Sequence, residues 1–109
     1  MIINTMKPMD VISIKLSSGE EIVGLFVEKT NDYIKIRKPL ALSITQNGPA
    51  LTPYFMTGDV MGDAKEVAFN ANLVTAMIKT YKPFADAYTQ STTGLDLSSP
   101  TVRNSGLVI

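Results

Sequence analysis

The chain has 109 residues, of which 45% are hydrophobic, and its ten basic and ten acidic residues give a formal net charge of zero. This length accommodates one domain, and no run approaches the roughly 20 apolar residues that cross a bilayer. Balanced charge excludes an overall basic field, so nucleic-acid binding would need a local patch. The sequence has no cysteine and no histidine, which removes disulfides, thiolate metal sites and the commonest general base. We therefore expect a cytoplasmic protein that does not bind membranes.

Period-two alternation predicts the first two strands. The first, residues 11–16, directs every second side chain to one face: Ile12, Ile14 and Leu16. The second, residues 21–28, is apolar on both faces near its middle and contains Gly24. A glycine inside a strand indicates a sharp bend or a close backbone approach. The second strand is therefore expected to bend strongly.

A long third strand follows, with Ile34 and Ile36 pointing inward and Pro39 interrupting it. Because proline cannot donate a ladder hydrogen bond, Pro39 indicates a bulge or an edge. Asn47-Gly48 is typical of a tight hairpin, after which residues 50–56 form the return arm.

The second half of the chain contains two further strand patterns. Residues 66–70 point Val67 and Phe69 inward, whereas residues 73–80 place the inward set at even positions: Val74, Ala76 and Ile78. A slip of phase like this one indicates a turn or bulge between two strands. Residues 57–65, between the return arm and these strands, form an irregular loop.

The expected fold is mainly β: five strands in a meander, forming a small, strongly bent antiparallel barrel over about residues 11–80. A short C-terminal helix, about residues 83–93, begins with Pro83 in its first turn. The single domain spans residues 1–94, and residues 95–109 form a tail. Its last three residues, Leu107-Val108-Ile109, are expected to anchor it on its own barrel or on a neighbouring subunit.

These segments resemble the two motifs of the Sm/LSm family, which includes bacterial Hfq. The first motif is matched by residues 14–16, Gly19, residues 22–24 and the hexapeptide Asn31-Asp32-Tyr33-Ile34-Lys35-Ile36. In that hexapeptide Asn31 replaces the family's Asp, Ile34 its Met and Lys35 its Asn. With its C-terminal helix the chain also resembles small Sm-like proteins of marine bacteriophages.

The second motif is matched by residues 67–72 and the following strand, with Asn70 in place of the family's Arg and Ala71 in place of its Gly. This departure affects the nucleotide pocket rather than the fold. The resemblance implies an Sm-like barrel that assembles into a homo-oligomeric ring, with five to seven subunits expected. It also implies single-stranded RNA, or single-stranded DNA, as the partner.

Tyr33 and Lys35 are the first candidates for a nucleic-acid site, since the resemblance places their turn at the pore of the ring. An exposed tyrosine beside a cation suits a single strand, because every base has a π-face and every linker carries a phosphate. The alternative is a surface tyrosine that covers its neighbours beside a solvated lysine.

Asn31, Asn70 and Asn72 are the candidate amide contacts to bases. The alternative is turn chemistry, because asparagine tolerates the dihedrals of tight turns. Arg37 belongs to the densest basic stretch, residues 29–38, which a ring would repeat into a belt of charge. An ordinary solvated face explains these charges equally well.

Two functions of different classes remain open. The first is a non-catalytic ring that binds single-stranded nucleic acid and acts in nucleic-acid processing, and the second is a structural or adaptor ring that contacts protein. An enzyme is not expected, because no two acidic residues form a convincing catalytic pair. Asp59, Asp63 and Glu66 do not have calcium-loop spacing, so neither a metal site nor a cofactor is expected.

Overall fold

The computed structural model describes residues 6–55 and 65–93. It contains six strand segments, a 3-10 turn and one helix: β1 (Val11–Leu16), β2 (Glu21–Lys29), β3 (Tyr33–Thr45), β4 (Gly48–Pro53), β5 (Glu66–Asn70), the 3-10 turn (Ala71–Leu73), β6 (Val74–Lys79) and α1 (Lys82–Thr92). The predicted tail, 95–109, and all but one residue of the predicted loop, 57–65, lie outside the described residues.

One antiparallel sheet contains all six strand segments, with β4, β3, β2, β1 and β6 as successive neighbours. The second edge of β3 is shared, because its residues 40–45 pair with β4 and its residues 33–37 pair with β5. The mainly β fold with a short C-terminal helix is therefore confirmed. The structure has one segment more than the five predicted, since β4 and β5 lie one after the other along the same edge.

The sheet curls strongly, because β5 and β6, which lie at its opposite edges, are joined by only three residues. In a flat sheet, β5 and β6 would lie four strand spacings apart, about 19 Å. The four peptide links from Asn70 to Val74 span at most about 14 Å. The 3-10 turn is also held at both sides: the Ala71 amide donates to the Asp32 carbonyl (2.9 Å), and the Ser17 amide to the Leu73 carbonyl (2.7 Å). No described residue pairs β5 with β6, so hydrogen bonds do not close the sheet.

The concave face of the sheet carries the main core. Its buried members come from β1, β2, β3 and β5: Ile12, Ile14, Leu16, Ile22, Phe26, Ile34, Ile36 and Phe69. The predicted inward positions of the first, third and fifth segments are therefore confirmed. Isoleucine dominates because a β-branched side chain fits a pleated, buried surface well.

Gly24 lies where β2 and β3 approach most closely. A Cβ atom at this position would overlap Cγ2 of Ile36 and lie 3.0 Å from the carbonyl oxygen of Arg37. Only a residue without a side chain fits there, which confirms the predicted close backbone approach.

Pro39 marks the predicted bulge in β3. The pairing of β2 with β3 shifts register between Val23 and Leu25, and the preceding Lys38 adopts a left-handed backbone with φ 51°. The extra residue reverses the inward phase, so Ile36 faces the concave core while Leu40, which is also buried, joins a second cluster. One strand thus supplies both faces of the sheet.

This second cluster holds α1 against the outer face. Tyr88, fully buried, packs with Val23 and Leu40, and its hydroxyl donates to the carbonyl oxygens of Lys38 (2.7 Å) and Arg37 (3.3 Å). Burial raises the pKa of the Tyr88 hydroxyl. Neither described range contains a helix with the length and apolar character that would span a membrane.

The inward set predicted for β6 is partly wrong. Val74 and Met77 pack against the core, whereas Ala76 and Ile78 are exposed. The cause is a register shift in the pairing of β1 with β6, between Lys15 and Leu16. Because Thr75 has no register partner on β1, the inward-facing positions of β6 do not follow the period-two pattern of its sequence.

Replacing Gly24 by valine should destabilise the fold severely. The new side chain meets Ile36 and a backbone carbonyl, and overpacking of this kind costs about 3 kcal/mol or more when backbone must move. Thermal unfolding followed by circular dichroism measures the loss. Ala76→Val, which adds two methyl groups on an exposed strand position, should leave the melting temperature nearly unchanged. Equal melting of the Gly24→Val variant and the wild type would contradict the close approach.

Tyr88→Phe should weaken the docking of α1 while preserving its packing. The change leaves two partly buried carbonyls without their donor, which lowers the free energy of unfolding by about 1–2 kcal/mol in urea titrations. Tyr81→Phe, at an exposed ring, is the matched control and should have no effect.

The Tyr88→Phe variant should also change how the free energy of unfolding depends on pH under alkaline conditions. The folded state holds the Tyr88 proton more tightly than the unfolded state, because burial raises the pKa of the hydroxyl. The contribution of this hydroxyl to the free energy of unfolding is therefore fully present below the ordinary tyrosine pKa of about 10 and is lost as the pH rises above it. Tyr88→Phe should therefore lose less stability than wild type above about pH 10. Parallel pH profiles for the two proteins would contradict a buried, protonated hydroxyl.

Candidate nucleic-acid interface

Two turns that are distant in sequence meet at one corner of the sheet. Tyr33 begins β3 and pairs with Asn70, the last residue of β5. The Ala71 amide of the 3-10 turn then donates to the Asp32 carbonyl of the β2–β3 turn. Four of the six predicted site residues are thereby brought to this corner: Asn31, Tyr33, Asn70 and Asn72. We call it the turn corner.

The β2–β3 turn is organised by a threonine hydroxyl. Thr30 Oγ1 accepts hydrogen bonds from the amides of Asp32 (3.1 Å) and Tyr33 (3.2 Å). Asn31 lies exposed at the tip of this turn. Its side chain is therefore presented to solvent while the backbone beside it is held.

Asn70 performs the turn chemistry that was the alternative to base contact. Its Oδ1 accepts from the amide of Asn72 (2.8 Å) and caps the 3-10 turn. The amide nitrogen of Asn70 and the second lone pair of its Oδ1 can still contact a ligand, and the Asn72 side chain is exposed. The structure therefore brings the asparagines together but uses one of their oxygens for the fold.

Tyr33, Lys35 and Arg37 form a row on the outer face of β3, since their neighbours Ile34 and Ile36 face the core. The Lys35 ammonium lies 5.3 Å from the centroid of the Tyr33 ring, a cation–π distance. Arg37 lies four residues from Tyr33, about 13 Å along the strand. Lys35 therefore belongs to the turn corner, and Arg37 lies at its periphery.

Two carboxylates that sequence reasoning missed neutralise this row. Glu28 accepts from the Tyr33 hydroxyl (3.1 Å) and lies 3.7 Å from the Lys35 ammonium. Glu66 lies 3.9 Å from the Lys35 ammonium and 3.4 Å from Arg37 Nη2. Knowledge of the strand register would have revealed these carboxylates, because Glu28 pairs with Lys35 and Glu66 pairs with Arg37.

The charges of this row and its two carboxylates sum to zero, because Lys35 and Arg37 face Glu28 and Glu66. Each contact is partly solvent-exposed, and such a pair contributes about 0–1 kcal/mol. Within the described ranges, the buried Nε of Arg37 has no hydrogen-bond partner. The row can present an aromatic ring and two cations to a ligand, but an anion has to compete with Glu28 and Glu66.

Residues 6–55 and 65–93 contain no group of three or more acidic side chains placed to hold a metal ion. The side chains at the turn corner are those of a binding surface: one ring, three amides and one ammonium. No protein-family model matches the chain, and no curated protein matches its sequence. What the chain does is therefore inferred from its own residues and contacts.

Proposed function

We propose that the chain is an Sm-like protein, whose copies assemble into a ring that binds single-stranded RNA, or single-stranded DNA, without catalysis. The observation that carries the proposal is the turn corner, where Tyr33 pairs with Asn70. The two segments that resemble the Sm motifs, 31–36 and 67–72, are hydrogen-bonded neighbours there. Two distant segments meeting in this way present a compact surface for one nucleotide.

An Sm-like barrel is supported by the curl of the sheet. The edge strands β5 and β6 are joined by the short 3-10 turn, and β2 and β3 both contain bulges, which increase bending. A sheet with these devices has its edges close to one another, as a small barrel requires.

Assembly into a ring is supported by the two open edges. Within the described residues, β6 pairs only with β1, while β4 and β5 pair only with β3. Unpaired strand edges template pairing with another chain unless they are blunted. Pairing the β6 edge of one copy with the opposite edge of the next is a head-to-tail contact, which closes into a ring or grows into a filament. Five to seven copies is the expected ring.

Stacking on Tyr33 would supply most of the binding free energy. A base stacked on an aromatic ring contributes about 1–3 kcal/mol, more than the 0–1 kcal/mol of each exposed ion pair that would be rearranged. A base that displaces the Lys35 ammonium from the ring leaves that cation free to meet the adjoining phosphate. Because a ring carries one such site on each copy, a strand that contacts several sites binds with a higher overall affinity than one site provides.

A second candidate function is an adaptor ring that contacts protein and binds no nucleic acid. The specific observation in its favour is that Glu28 and Glu66 neutralise the cations of the row. With zero net charge, such a ring has no long-range attraction for a polyanion. Direct binding measurements separate the two functions.

Tyr33→Ala should weaken binding of single strands by about tenfold, since one lost stack removes about 1–3 kcal/mol and about 1.4 kcal/mol is a factor of ten. Tyr33→Phe is the matched control, because it keeps the ring and loses only the hydroxyl contact to Glu28. Its affinity should stay close to that of the wild type. The measurement is fluorescence anisotropy with labelled U-rich RNA, A-rich RNA and single-stranded DNA at low and moderate salt.

The same titrations can refute the proposal at two levels. If the wild-type protein binds none of the three oligonucleotides even at low salt, the adaptor ring replaces the nucleic-acid ring. If it binds but Tyr33→Ala has no effect, the turn corner is not the site. Lys35→Ala should flatten the salt dependence, because it removes a phosphate contact rather than a stacking platform.

Glu66→Gln should strengthen binding and steepen its salt dependence. The change releases Lys35 and Arg37 from a competing carboxylate, and a gain of up to about fivefold follows from the worth of exposed pairs. Glu21→Gln is the matched control, because it makes the same charge change at a carboxylate paired with Lys15. Equal gains from both variants would show that only overall charge matters, which contradicts a local site.

A further inference from the structure

An apolar groove lies on the outer face of the sheet, where β6 leads into α1. Val23 and Leu42 line it from the sheet, and Ile78, Tyr81 and Phe84 line it from the β6–α1 segment. Its volume is about 180 Å³. The last three side chains are 59%, 72% and 39% exposed, although all are large and apolar or aromatic. Exposed apolar side chains that gather around a groove mark an interaction site.

Four polar side chains line this groove, and all but Tyr81 hydrogen-bond or pair with a neighbouring side chain. The hydroxyls of Ser13 and Thr80 hydrogen-bond to one another at 2.8 Å. The carboxylate of Glu21 contacts the Lys15 ammonium at 3.4 Å. The groove therefore offers an occupant little except apolar contact, which excludes a nucleotide or another charged ligand as the best fit.

We infer that the occupant is the C-terminal segment of the same chain, Leu107-Val108-Ile109. In residues 94–109 it is the only run of three consecutive apolar side chains. The inference is independent of the proposed nucleic-acid function, since the groove shares no residue with the turn corner.

The size of the groove suits two side chains of this segment. An apolar cavity of about 150 Å³ holds a molecule of benzene, so about 180 Å³ admits one or two aliphatic groups. In an extended segment Leu107 and Ile109 point to the same side. Insertion of these two side chains would leave Val108 on the side away from the groove.

The length of the tail matches the distance it has to cover. Helix α1 begins at the groove and ends at Thr92, so its 11 residues carry the chain about 16 Å away. A random coil of about 13 residues, the number that separates Gly94 from Leu107, would have a root-mean-square span of about 20 Å. A linker that matches its span gives millimolar effective concentration. At micromolar protein, the chain's own tail therefore outcompetes a tail from free solution.

Because the chain has no cysteine, paired cysteines test this docking cleanly. Ile78→Cys with Leu107→Cys should form an intramolecular disulfide under mild oxidation at micromolar protein. Asn31→Cys with Leu107→Cys is the matched control, because Asn31 is exposed and follows β2, which runs about 26 Å from Glu21 to Lys29. The first pair should cross-link about tenfold faster than the control, reflecting its higher effective concentration. Non-reducing electrophoresis and peptide mass spectrometry identify the products.

Equal rates for the two pairs would overturn the inference. A disulfide formed mainly between chains would overturn it too, because the occupant would then be the tail of a second copy. Leu107→Asn with Ile109→Asn tests the groove without altering the sheet. This variant should shift the Ile78 methyl resonances in NMR spectra of the full chain, and unchanged resonances would contradict docking.

Discussion

The short link between opposite edges of the sheet is the constraint on which the rest of the structure depends. The 3-10 turn has to connect β5 with β6, and a flat sheet would hold these strands too far apart. The sheet must therefore curl, and Gly24 makes the curl possible by letting β2 lie directly against Ile36. Curling in turn encloses the isoleucine-rich face and brings the 3-10 turn beside the β2–β3 turn.

The same curl explains both the strength and the weakness of the candidate site. It places the ring of Tyr33 beside Asn70, so that one nucleotide could meet both segments that resemble the Sm motifs. It also places Glu28 and Glu66 around Lys35, which lowers the attraction for phosphate. Binding through this corner would thus depend on stacking more than on charge.

The strands, the role of Gly24 and the bulge at Pro39 could all be predicted from the sequence, because period-two patterns and special backbone residues act locally. The predictions that were wrong or incomplete concern features that depend on pairing between distant strands. The inward set of β6 was misassigned because a register shift against β1 decides it. The carboxylates near Lys35 were missed because only the register of β2, β3 and β5 brings them there. The hydrogen bonds from the Tyr88 hydroxyl to two β3 carbonyls likewise could not be predicted from neighbouring residues in the sequence.

We infer that the open edges of this curled sheet pair with further copies of the chain. Within the described residues, β6 has a strand partner on one side only, as do β4 and β5, and such edges pair readily with another chain. Light scattering combined with size-exclusion chromatography, at micromolar protein and moderate salt, tests the claim most directly. We expect one discrete species with about five to seven times the mass of the chain, as a closed head-to-tail ring requires. A species with the mass of a single chain across this concentration range would contradict it.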